Sequence, residues 1–178
     1  MENMRAEDWI TRFDMSAHPE GGYYKQSFVS PEKITTTDHP KERNLYTSIY
    51  FLLQSQDISH FHRLKSDELW YFHAGEAVTV HILSSKGEYR AEKLGLDIFA
   101  GEHPQVLVEK GSIFGSTVDA KDAFSLVGCM VSPGFDFADF ELLLQSDLLE
   151  LYPEHEQIIE KLAYKKIPST LSNTEDKC

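Results

Sequence analysis

The chain has 178 residues, 41% of them hydrophobic, which suffices for one domain with a full core and leaves no room for a second. Its formal charge of −12, from 17 basic and 29 acidic residues, argues against a phosphate-backbone partner, because such binding relies on clustered Lys and Arg. No apolar run approaches the ~20 residues that span a bilayer, the opening MENMRAEDWITRF is too acidic for a secretory signal, and Cys129 and Cys178 make no disulfide framework. A cytoplasmic protein with neither nucleic acid nor membrane as partner is expected.

In chain order, Trp9, Ile10 and Phe13 at helical spacing predict a short helix over Ala6 to Phe13 that covers the core with its aromatic side. It ends before His18-Pro19. The Gly21-Gly22 pair marks a turn and opens a strand from Tyr23 to Phe28, while the polar, threonine-rich stretch 30–41 reads as a mobile loop near a site mouth. Strands are expected near 45–53, 59–63, 68–74, 77–83, 88–94, 105–109, 113–115 and 124–132, separated by turns such as Ser84-Ser85-Lys86-Gly87. Many short strands without alternating helices mean an all-β sandwich or barrel. Leu148, Leu149 and Leu151, then Ile158, Ile159 and Leu162, suit short C-terminal helices broken at Pro153, and 165–178 reads as a disordered tail. Cys129 sits in an apolar run as a small buried hydrophobe.

Residues 59–75, SHFHRLKSDELWYFHAG, carry the chemistry. On a regular strand His60 and His62 share a face about 7 Å apart, and the polar Leu64-Lys65-Ser66-Asp67 reverses the chain so that Glu68 returns beside them. Two imidazoles and one carboxylate at a point suit either a divalent metal or acid–base work. The plainer alternative makes His60 and His62 hydrogen-bond donors in a polar-lined barrel, with Glu68 the counter-ion of Arg63 or Lys65. On the returning strand Trp70 and Phe72 share the Glu68 face. His18, His39, His103 and His155, beside prolines or in charged segments, read as solvated loop residues, and His73 and His81 as packing or contact residues.

The pattern His60-x-His62, then Glu68, then Gly75 after six intervening residues, resembles the first motif of the cupin superfamily, with one extra residue between the second His and the Glu. HPEGGYYKQSF (18–28), LYTSIYFLL (45–53), GEHPQVLVEKGSIFG (101–115) and LVGCMVSPGFDFADFEL (126–142) narrow the likeness to a poorly characterised branch, a domain of unknown function similar in shape to sugar-nucleotide epimerases. The resemblance covers roughly residues 5 to 163. It implies an all-β, cupin-type jelly-roll β-barrel over 1–164 with short N- and C-terminal helices, a small-molecule pocket inside, and a homodimer to which the strands around Tyr23 contribute. In the second motif a His commonly adds a metal ligand. Phe114 stands in its place here.

Three functions follow from the resemblance and the residues together. The first is a metal-independent isomerase or epimerase acting on a sugar-like or carbonyl-bearing compound, with His62 as base, Glu68 holding its tautomer, and Tyr24 or His60 returning the proton. Those epimerases carry an arginine shortly before the catalytic His, whereas this chain has Asp57, Ile58 and Ser59 there. The second is a metal-dependent enzyme with a divalent ion on His60, His62 and Glu68. The third is a binding protein for a small ligand, without turnover. In each, Gln105, Trp70, Arg63, Phe114 and Phe135 are the expected ligand-contacting residues.

Overall fold

The computed structural model describes residues 4–168. Helix α1 (Ala6–Arg12) is followed by strands β1 (Ser16–Ala17), β2 (Tyr23–Val29), β3 (Lys33–Ile34), β4 (Arg43–Asn44), β5 (Thr47–Gln54), β6 (Ile58–Leu64) and β7 (Asp67–Gly75). Then come β8 (Val78–Leu83), β9 (Tyr89–Leu94), β10 (Gln105–Val108), β11 (Ile113–Val118), β12 (Phe124–Ser132) and β13 (Phe140–Leu142), and helices α2 (Gln145–Leu151) and α3 (Glu156–Leu162) close the chain. The expected tail begins at residue 165. From residue 169 onward it lies outside the described residues, and 165–168 form neither helix nor strand.

Two antiparallel sheets face each other as a jelly-roll β-barrel, one of six strands in the order β1-β2-β5-β12-β7-β10, the other of five in the order β13-β6-β11-β8-β9. Strand alternation sends Phe51, Leu53, Trp70, Val80, Ile82, Phe114 and Val127 inward to one core between the sheets. Helices cover part of each outer face. Trp9, Ile10 and Phe13 of α1 and its C-terminal end pack over Leu52 and Leu126 of the six-stranded sheet, and the Arg5 N–H donates to Asp8 at 2.8 Å to hold the first turn. Leu148 of α2 with Ile159 and Leu162 of α3 covers Phe61, Leu83 and Ile113 of the other sheet.

The stretch 30–41, read from sequence as mobile, is tied down. β3 pairs with β4, the buried His39 ring meets Thr36 Oγ1 and Ser66 Oγ at 3.1 Å each, and Arg43 Nε donates to Asp139 Oδ2 at 2.6 Å. Threonines and prolines alone resemble a solvated loop. The partners that order this one come from residues far along the chain.

The departure with most consequence lies in β6. Ser59 pairs with Ser116 and His62 with Phe114, so His60 and Phe61 together stand against Gly115. This is a β-bulge, and the extra residue reverses the phase of alternation within the strand. Ser59, His62 and Leu64 consequently face the barrel, whereas Phe61 packs under the C-terminal helices. A Cβ on Gly115 would lie 2.5 Å from the Ser59 carbonyl oxygen and 3.2 Å from the Phe61 ring, so the bulge depends on glycine opposite it. Gly115→Ala is therefore expected to lower stability by about 1–3 kcal/mol through overpacking. Urea unfolding checks this, and an unchanged midpoint would show that the bulge tolerates a side chain.

Candidate active site

A cavity of about 120 Å³ opens between the sheets, its lining combining the polar His18, Glu20, His62, Glu68 and Cys129 with the aromatic Tyr24, Phe51, Phe135, Phe137 and Phe140. β6 supplies His62, β7 Glu68 and β12 Cys129. The loop 18–22 supplies His18 and Glu20. That loop turns at Gly21, whose φ of +118° and whose absent Cβ, which would sit 1.9 Å from the Ile58 carbonyl oxygen, let the backbone lie against β6. The Glu20 carbonyl then accepts the His60 N–H at 2.7 Å.

Glu20 is the centre of the polar cluster and is almost wholly buried. Its Oε1 accepts the Ser59 hydroxyl at 3.1 Å, and its Oε2 lies 2.9 Å from His62 Nε2. Residues 59 and 62 would face opposite sides of a regular strand. The bulge is what lets one carboxylate take both. Burial pushes the Glu20 carboxyl up, but the imidazoles of His62 and His18 with the Ser59 hydroxyl outweigh it and bring its pKa to about 2. His62 Nδ1–H donates to the His60 carbonyl at 2.7 Å, so both ring nitrogens face acceptors. Burial pulls the His62 imidazole down, while Glu20 beside it, aided by Glu68 and that carbonyl, holds it above its ordinary value. With an acceptor at each ring nitrogen and the carboxylate 2.9 Å away, the pair is read as carboxylate and imidazolium.

Glu68 behaves in the opposite way. Burial and then the negative charge of Glu20 push its carboxyl up to about 8, against the weaker pull of His62, Cys129 and Trp70. The Trp70 indole N–H lies toward it without an acceptor in hydrogen-bonding geometry. At neutral pH Glu68 is a carboxylic acid and a proton donor. Burial also holds His18 below its ordinary value, against Glu20 and with the charge of His62, so it is a neutral imidazole; its Nδ1 accepts the Glu20 N–H at 3.3 Å and lies 3.7 Å from Glu20 Oε2. Burial, then Glu68 and Glu20, raise the Cys129 thiol well above its usual range, which leaves it without thiolate character.

Of the residues singled out from sequence, His62, Glu68, Tyr24 and Phe135 meet at the cavity. His60 does not. As the extra residue of the bulge it turns away and stacks on Tyr164, with ring centroids 3.7 Å apart. Trp70 and Phe114 lie behind the cavity in the core, Phe114 with its ring centroid 4.0 Å from that of His62. Arg63 points outward to an exposed ion pair with Glu141 at 2.6 Å, and Lys65 meets Asp139, so neither is the counter-ion of Glu68. Gln105 sits on the exposed face of β10 while Val106 and Val108 point in. The expected partnership of His62 with Glu68 is replaced by His62 with Glu20. Two histidines read as solvated are not: His39 is buried against Ser66, and the half-buried His18 packs its ring on Phe51 and Phe140, partners that come from distant segments.

Residues 7–143 match the family described as Cupin superfamily (DUF985). The chain belongs to that family. A hypothetical protein from Leishmania major is 41% identical over 91% of this chain and all of its own, with a TM-score of 0.87. A protein from Shewanella oneidensis is 48% identical over 92% of this chain and all of its own, with a TM-score of 0.85. Oxalate decarboxylase from Bacillus subtilis, 15% identical over 95% of this chain and 44% of its own with a TM-score of 0.51, shares the fold. No curated protein matches the sequence.

The metal set that membership in this superfamily suggests does not fit these residues. His60 faces away, Phe114 fills the place of the second-motif His, and both nitrogens of His62 are engaged. Among the described residues no three His, Cys, Asp or Glu side chains converge to hold an ion.

The pH dependence of stability follows from the two carboxyls. Glu20, lowered when folded, adds stability above its ordinary value of 4.5 that is lost as pH falls toward 2. Glu68, raised when folded, stays protonated between 4.5 and about 8 while the unfolded chain ionises, so stability falls as pH rises through that window. Glu68→Gln removes this second slope. The stability of the variant relative to the native protein should grow by roughly 1 kcal/mol per pH unit from pH 5 to 8 in urea unfolding, and a difference independent of pH would contradict the assignment.

Proposed function

We propose that the cavity is the active site of a metal-independent isomerase or epimerase that moves a proton beside the carbonyl of a small, sugar-like compound. The observation that carries this reading is that Glu68 and His18 line one cavity with the Glu20–His62 ion pair, where burial and that pair favour a protonated Glu68 and a neutral His18. Environments that push neighbouring titratable groups apart mark the acid and the base. Glu68 donates its proton to the carbonyl oxygen as the neutral His18 imidazole takes the carbon-bound proton, with the Glu20 carboxylate 3.7 Å away to stabilise the imidazolium formed. Return of that proton from His18 to the same carbon gives back substrate, and to the neighbouring carbon the isomer, as Glu68 recovers its proton from the hydroxyl that becomes the carbonyl. A carboxyl near 8 suits transfer in both directions close to working pH. His62, with both N–H groups committed, fixes Glu20 and the field at the site and is not the base.

At about 120 Å³ the cavity is smaller than the roughly 300–1,000 Å³ of drug-sized sites, so it takes only the reacting end of a ligand. The rest lies along Phe135 and Phe137 at the mouth. The proposal takes residues 1–164 as one barrel domain, acting in the cytoplasm as a homodimer. The half-buried Leu69, Tyr71 and Met130 on the outer face of the six-stranded sheet support that contact. A binding protein without turnover is the second reading, since the enclosed aromatic wall serves affinity as well as chemistry.

Incubation with three- to six-carbon aldoses, ketoses and 2-keto acids in deuterated water tests the activity, with proton NMR following the hydrogen next to the carbonyl. Exchange that depends on the protein is expected for some members. It should fall about 10²–10⁴-fold in Glu68→Gln and decline in the native protein as pH rises through about 8. Equal binding of a compound by both proteins with no exchange in either would replace the enzyme by the binding protein.

A further inference from the structure

Glu20 reaches Ser59 and His62 only while the 18–22 loop stays pressed on β6. The contacts that press it there are specific. The Glu20 carbonyl accepts two hydrogen bonds from one residue, the His60 N–H at 2.7 Å and the His60 ring Nδ1–H at 2.8 Å. The His60 ring lies flat on the Tyr164 ring, with an interplanar angle of 10°, and the Tyr164 hydroxyl donates to the Pro19 carbonyl at 3.4 Å. Tyr164 is itself fixed from behind, because its carbonyl accepts the Gln145 N–H at 2.9 Å and it bridges to Leu144. The family match ends at residue 143, so this support comes from the chain beyond it.

We infer that His60 and Tyr164 are positioning residues, a stacked pair that seats Glu20 against His62 from outside the barrel and makes the segment after α3 part of the active site. Neither touches the cavity. Burial holds the His60 imidazole below its ordinary value, so it is neutral and its Nδ1–H is free for the carbonyl. The histidine that the family motif suggests as a metal ligand has been turned, by one extra strand residue, into the peg that locates a carboxylate. Only the meaning of the seat for turnover rests on the proposed activity.

The test reads His62 directly, through its ring nitrogens in NMR titrations of the full chain. The groups that face His62 are Glu20 and His18 on the loop, Glu68 on β7 and the His60 carbonyl on its own strand. A substitution at Tyr164 removes none of them. His60→Ala and Tyr164→Ala should each move the His62 midpoint down by a pH unit or more, a tenfold change in its protonation equilibrium. The double variant should do no more than either single one. Tyr164→Phe, which keeps the stack, and His60→Asn, which keeps a side-chain N–H, should retain most of the native midpoint. If the alanine variants fail to fold, Tyr164→Leu, which keeps bulk but loses the stack, and His60→Phe, which keeps the stack but loses the ring N–H, carry the measurement with the same expected downward shift. A native His62 midpoint in all variants, with only a loss of stability in urea, would reduce the stack to packing. A shifted midpoint without any carbonyl compound exchanging would uphold the seat and sink the activity.

Discussion

Because His60 and Phe61 share one partner, Gly115, the inward face of β6 carries Ser59 and His62 where a regular strand would carry only one of them. A single carboxylate can then be satisfied twice from one strand. The rest of the site depends on this. An unpaired carboxylate in such a place carries a desolvation penalty of several kcal/mol, which the imidazolium and the hydroxyl together offset. The Gly21 turn, the His60 hydrogen bonds and the Tyr164 stack all serve to deliver that carboxylate to the bulge.

Once Glu20 is fixed as an anion, the state of its neighbours follows. His62 gains a proton from the proximity of opposite charge, and Glu68 keeps its proton because burial and a second negative charge both oppose its loss. Three of the ionisable groups in one small cavity, Glu20, His62 and Glu68, thus hold an ion pair and a neutral acid, with no net charge added to the barrel. This division of labour needs low dielectric, and the ring of Phe51, Phe135, Phe137 and Phe140 provides it. An arrangement that spends both nitrogens of His62 on protein acceptors leaves it no lone pair for an ion, so the electrostatics and the coordination chemistry point the same way.

The fold was legible because its strands are short, apolar and punctuated by turn residues, and because local pattern decides such elements. β7, expected over 68–74, runs Asp67–Gly75, and β11, expected to stop at 115, continues past Ser116 through the β-branched Thr117 and Val118, a strand signal that the expected boundary left out. The site was half legible. His62 and Glu68 lie close in sequence on adjacent strands, so spacing found them. Glu20 and His18 come from a loop some forty residues away and are brought in by backbone geometry, for which the Gly21-Gly22 pair after His18-Pro19-Glu20 was the one available signal. The bulge was hidden because Phe61 looks like an ordinary strand residue, and only the glycine opposite hints at it. Gln105 was assigned to the wrong face, although the β-branched Val106 and Val108 between the polar positions mark which side is buried.

The protonation of Glu68 beside the Glu20–His62 pair can be watched without a substrate. The side-chain carboxyl carbon of Glu68, assigned by comparison with Glu68→Gln in protein labelled with ¹³C at glutamate, would be followed by NMR from pH 4 to 10. A midpoint near 8, with Glu20 already ionised across that range, is the predicted result. Titration of Glu68 near the ordinary 4.5 would contradict the account, since the cavity would then hold two carboxylates and no acid.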